Sequence, residues 1–130
     1  MDAEDEDRLT VVPRLLADGR IDEAIEFCQS ISAGWQRAES LNFIARVMFR
    51  HDSATAASLW HAAIEAAENG QVSNDPQDSY DCSSVLGEIA VDICESGDSN
   101  WAIDVGVSVS NDYIRERTLR KLEESRQSGN

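Results

Sequence analysis

A chain of 130 residues, 42% hydrophobic and 28% charged, reads as one globular domain (1–130), large enough to bury a core without disulfide or metal staples. Twenty-five acidic against eleven basic residues leave a formal charge of −14, which argues against direct binding to nucleic-acid phosphates, since those require positive partners. No apolar run approaches the roughly 18 residues of a membrane span, the acidic opening MDAEDED is the reverse of a secretory signal, and three cysteines without a CxxC pair lack the common zinc and redox spacing.

Periodicity and punctuation predict seven helices, at about 6–18, 22–32, 34–50, 54–69, 78–96, 100–110 and 112–127. Residues 1–7 read as an acidic, frayed N-terminus, and the first helix is expected to kink at Pro13 or to begin near it. In the third, Leu41, Ile44, Ala45 and Met48 follow i, i+3, i+4, i+7; in the fifth, Leu86, Ile89, Ala90 and Ile93 repeat that face. The segment NGQVSNDPQDSY between the fourth and fifth is rich in turn formers. The sixth helix contains DVGVSVS, which alternates as a strand would. The last, RERTLRKLEESRQ, has an apolar side at Leu119 and Leu122 and charge elsewhere, with 128–130 a disordered tail. Gly19, Gly70 and Gly97 stand where C-cap glycines belong, and Asp22, Ser53, Ser99 and Asn111 where N-caps belong. Cys28 and Cys94 fall in apolar patterns, whereas Cys82 lies near a loop.

The chain repeats itself. At an offset of 78 residues Gly19 falls on Gly97, Ala24 on Ala102, Ile31 on Val109, Trp35 on Tyr113, Arg37 on Arg115 and Leu41 on Leu119. A middle copy matches at an offset of 33 in its first half (Ala24 on Ala57, Phe27 on Trp60) and 45 in its second (Trp35 on Tyr80, Leu41 on Leu86, Ile44 on Ile89), the difference being a twelve-residue insertion. This register assigns DVGVSVS to a helix. Repeated helical hairpins cannot bury their apolar faces alone but can do so by stacking.

On the phrases ADGRIDEAIEFCQSI and VLGEIAVDICESGDSNWAI, each with a glycine five residues before an alanine, the chain resembles tetratricopeptide repeat proteins. It departs from them in the spacing between Gly87 and Gly97, in the missing closing proline after Ile31 and Val109, and in the insertion. The expected architecture is an all-α, right-handed α-solenoid of seven antiparallel helices, three hairpins plus a covering helix. The resemblance implies a protein-interaction scaffold that binds peptides on its concave face, but the asparagines and basic residues of the family's best-known peptide clamps have no evident counterpart here.

Candidate sites follow from charge and from one tryptophan. From His51 to Ile114 there are twelve carboxylates and no Lys or Arg. Within that stretch Glu88, Asp92 and Glu95 share one helix face, an acidic stripe for a basic partner or simply a solvated face, at a cost of a few tenths of a kcal/mol per like-charged pair. Adaptation to a high-salt cytoplasm would also account for the acidity, because salt screens the repulsion. Trp101 replaces Glu23 and Ala56 of the other copies; with Val105 one turn on, it reads as an exposed anchor, or as filling space left by Gly106 or the insertion. Trp35, Trp60, Tyr80 and Tyr113 occupy repeat positions and are expected in the core. His61–Glu65 and Asp75–Asp78–Asp81 lack the ligand count or spacing of a zinc or calcium site, and no nucleophile elbow, phosphate loop or His-Glu-x-x-His is present. The expectation is therefore a cytoplasmic interaction module, not an enzyme, with no cofactor or metal and a basic protein partner. It contacts neither membrane nor nucleic acid directly, and homodimerisation is open to it. The alternatives are an acidic nucleic-acid mimic that inhibits a basic protein and, third, a small metal-dependent enzyme.

Overall fold

In a computed structural model describing residues 3–128, the periodic segments fold as seven α-helices, with no strand among the described residues: α1 (Ala3–Ala17), α2 (Ile21–Gln29), α3 (Gly34–Met48), α4 (Ser53–Gln71), α5 (Pro76–Glu95), α6 (Ser99–Val107) and α7 (Asp112–Ser128). None is long and apolar enough to cross a membrane. α1 begins inside the stretch expected to fray and runs through Pro13; residues 1, 2, 129 and 130 lie outside the described residues. DVGVSVS is helical as far as Val107.

Gly19 and Gly97 end their helices with φ of 76° and 111°, left-handed values that glycine adopts without a Cβ penalty. Gly70 does not. It sits within α4, where an added Cβ would overlap Cys82 Sγ of α5, so this glycine permits a close helix crossing. Cys82 is accordingly buried. The insertion is mostly helix, because α4 continues to Gln71 and α5 starts at Pro76. There the missing proline N–H matters least, and Asp75 Oδ1 accepts from Gln77 N at 3.0 Å. Asn111 caps α7 by accepting from Ile114 N at 3.0 Å. Ser53 and Ser99 fall one residue inside their helices, and the caps are the preceding aspartates: Asp52 and Asp98 accept from Thr55 N and Trp101 N, each at 3.1 Å. α2 follows Arg20 with no side-chain cap, leaving Asp22 inside it.

The helices form two layers. α1, α3, α5 and α7 lie side by side, each packed on the next odd helix, while α2, α4 and α6 pack against their chain neighbours. α3 packs more extensively on α4 than on α2, so the tightest hairpin straddles the boundary that the repeat marks. The core runs between the layers through Ala24, Ile31, Leu41, Ile44, Leu86, Ile89, Ala102, Val109 and Leu122. Gly87 lets α7 approach α5 at Thr118, and Gly106 lets Leu119 and Leu122 close on α6, so α7 itself fills the space beside Gly106.

Two contacts recur 78 residues apart. Arg37 Nη1 donates to the Ile31 carbonyl at 2.7 Å and Arg115 Nη1 to the Val109 carbonyl at 3.0 Å; Ser30 and Ser108 hydroxyls donate to the Phe27 and Val105 carbonyls, each at 2.7 Å. In the middle copy the equivalent of Arg37 is Cys82, and the corner is held otherwise. The Ser79 hydroxyl donates to the Gln71 carbonyl at 2.7 Å, and the Gln71 carboxamide accepts from Ser83 Oγ and Ser110 N, both at 2.8 Å.

The aromatic repeat positions divide. Trp60 is core and Trp35 half-buried beneath the Arg8 guanidinium. Tyr80 and Tyr113 are 47% and 66% exposed, contrary to the core expectation: both stand in the opening turns of their helices, and the Tyr113 ring takes the Arg117 guanidinium instead of an apolar neighbour.

Candidate functional site

The odd-numbered helices enclose a groove of about 400 Å³. All its lining residues come from that layer: Arg8, Val12 and Pro13 of α1, residues of α3 from Glu39 to Arg46, residues of α5 from Ser84 to Asp92, and Arg117, Thr118 and Lys121 of α7. Some of them coincide at offsets of 45 and 78 residues. Glu39, Ser84 and Arg117 are equivalent positions in the three copies, as are Phe43, Glu88 and Lys121, while Asn42 falls on Gly87 and Arg46 on Val91. One helix face is thus presented three times with different chemistry each time.

The groove inverts the balance of the chain. Arg8, Arg46, Arg117 and Lys121 face Glu39, Glu88 and Asp92, four cations against three carboxylates in a protein of net charge −14. Arg8 is paired with Glu39 across α1 and α3. Asp92 Oδ2 accepts from Asn42 Nδ2 at 2.8 Å and lies 3.7 Å from Arg46 Nε. Behind them Asn42 Oδ1 accepts from Trp60 Nε1 at 2.8 Å. Glu88 keeps contact with solvent, but the partial loss of solvent at the groove wall, then the charges of Glu39 and Asp92, push its pKa up against the opposing pull of Arg46 and Lys121.

Of the residues singled out by sequence, Glu88 and Asp92 line this groove, whereas Glu95, at the end of α5, is exposed outside it. Trp101 and Val105 belong to α6 in the other layer. Trp101 is half-buried, edge-on to Trp60 at 6.3 Å and tilted against His61 at 4.6 Å, and Val105 is 4% exposed, so its side chain is core and is not offered to a partner. The stripe and the tryptophan therefore do not form one surface. The His61 ring packs against Trp101, and the described residues hold no group of three His, Cys, Asp or Glu side chains that could share a metal ion. Sequence reasoning passed over Glu39, Asn42, Arg46, Arg117 and Lys121. The 78- and 45-residue offsets could have marked Lys121, which falls with Phe43 on the position of Glu88, whereas the other four become groove residues only through the packing of the odd-numbered helices.

No family model matches the chain, and neither a curated protein nor a solved structure does.

Proposed function

We propose that the chain is a protein-interaction module, a tetratricopeptide-like right-handed helical stack that seats a segment of a partner protein in the groove. The observation that carries this reading is the contrast between positions. The leucines at Leu41, Leu86 and Leu119 and the aliphatics at Ile44, Ile89 and Leu122 keep one chemistry through the copies, while the groove sites beside them change from Phe43 to Glu88 to Lys121 and from Glu39 to Ser84 to Arg117. Stacked helical units present an extended surface, and side chains that vary along it suit the recognition of an extended segment. The partner is a basic protein: a net charge of −14 draws one in by long-range attraction, and the groove's mixed charges then select a sequence. The cation-free run from His51 to Ile114, with its twelve carboxylates, favours a second reading, an acidic decoy for the nucleic-acid site of a basic protein.

The test compares the immobilised protein with a Val91→Trp variant that obstructs the groove, using host lysate and a salt gradient. A basic protein retained by the wild type and lost by a folded Val91→Trp supports groove recognition. Equal retention by both, with release by DNA, supports the decoy. No specific retention at any salt removes the interaction reading.

A further inference from the structure

The groove contains one carboxylate whose orientation is set from behind by buried side chains. Asn42 and Trp60 are 4% and 3% exposed, and with Asp92 they form a hydrogen-bonded line from α4 through α3 to α5, each link 2.8 Å. The direction of this line is fixed by chemistry. An indole N–H can only donate, so the carbonyl of Asn42 must face Trp60 and its amide N–H must face Asp92, which as a carboxylate can only accept. Trp60 cannot swing away, for it is held between Phe49 and Trp101 at ring distances of 6.2 and 6.3 Å. The Asn42 and Arg46 contacts both fall on Oδ2, leaving Oδ1 for an incoming donor.

Structural needs do not account for the charge at this position. An asparagine carbonyl at position 92 would satisfy Asn42 equally well. The negative charge also faces Glu88 one turn away, whose ionisation it helps to disfavour. Arg46 offsets little of it: its side chain is 51% exposed and its Nε stands 3.7 Å off, a geometry worth at most about 1 kcal/mol. We infer that Asp92 receives a cationic side chain of the partner segment, and that Asn42 is the positioning residue that aims it. This rests on the groove reading above and adds to it the sign of the group read at one subsite. A lysine ammonium and an arginine guanidinium share the required chemistry.

Three short peptides test it, alternating alanine with lysine, arginine or glutamine, titrated at about 1 M salt, where the Debye length of about 3 Å removes the field of the whole protein but not a contact pair. The wild type is expected to prefer the cationic peptides over the glutamine peptide by about tenfold, the scale of one charge-assisted hydrogen bond. A larger preference for arginine than for lysine identifies the guanidinium as the natural group. Asp92→Asn, which keeps the shape and the acceptor, is expected to lose the preference while the tryptophan emission of the protein stays unchanged. Asn42→Ala is expected to shrink the preference, a ratio that a merely structural role would leave alone. An undiminished preference in Asp92→Asn overturns the assignment. Val91→Trp separates the two failures: if it abolishes binding of all three peptides while Asp92→Asn keeps the preference, the groove stands and Asp92 is only an internal acceptor. If Val91→Trp binds as the wild type does, the groove reading itself falls.

Discussion

Replacing Gly70 by alanine tests the closest helix crossing, because its effect should change sign with the residue opposite. Gly70 lies in the last turn of α4, and an added Cβ would overlap Cys82 Sγ, whose own Cβ is 3.4 Å away. Cys82 is 2% exposed, so the sulfur has little room to rotate. Overpacking of this kind costs about 1–3 kcal/mol, against a helix-propensity gain of at most about 1 kcal/mol. The net expectation is a loss of up to about 3 kcal/mol. In a Cys82→Ala background the obstructing sulfur is gone, the remaining Cβ is at ordinary contact distance, and the same substitution should stabilise by up to about 1 kcal/mol. Urea unfolding of the four proteins reads the cycle: with a slope of about 2 kcal/mol per molar, a net loss of 1 kcal/mol lowers the midpoint by about 0.5 M. A coupling energy on the order of 1–3 kcal/mol is expected. If Gly70→Ala raises the midpoint equally in both backgrounds, the two helices do not approach as described.

Folding raises the pKa of Glu88 above its ordinary 4.5, chiefly through desolvation, so ionised Glu88 opposes folding. The penalty is full well above the raised pKa and absent below the ordinary one; Glu88→Gln should therefore stabilise at neutral pH, with the advantage closing as pH falls to 4.5 and below in urea melts. Salt should stabilise the wild type, because the net charge of −14 repels itself over a Debye length of about 30 Å at 0.01 M and about 3 Å at 1 M; a thermal midpoint that falls over this range would contradict a repulsive surface. Burial pushes the Cys28 thiol up to about 11 and also raises Cys82, where Asp78 and Asp81 add to the effect. A disulfide reagent at about pH 8 should thus modify half-buried Cys94 first, leaving the other two until the protein unfolds, and rapid native labelling at Cys82 would contradict the α4–α5 packing.

The helices were legible because their causes are local. The i, i+3, i+4, i+7 faces of α3 and α5 state which side is buried, and the 78-residue register correctly overrode the strand-like alternation of DVGVSVS. The cap aspartates were missed by one residue, since aspartate and serine stand side by side at 52–53 and 98–99 and both accept from a helix N–H. Gly70 was misread because a glycine that ends a helix and one that admits a neighbouring helix look alike in sequence, and only the position of Cys82 tells them apart. Tyr80 and Tyr113 were placed in the core by analogy with Trp35, but burial depends on what stands opposite a ring.

The same limit applies to the groove. Periodicity put Glu88 and Asp92 on one helix face without saying what that face meets. The stacking of α1, α3, α5 and α7 turned it toward Arg8, Arg46, Arg117 and Lys121 and set Asn42 behind Asp92. Composition and helical periodicity thus determined the helices, their buried faces and the acidity of the whole. The tertiary structure decided which charges are neighbours, because contacts between residues far apart in sequence exist only once the helices have packed.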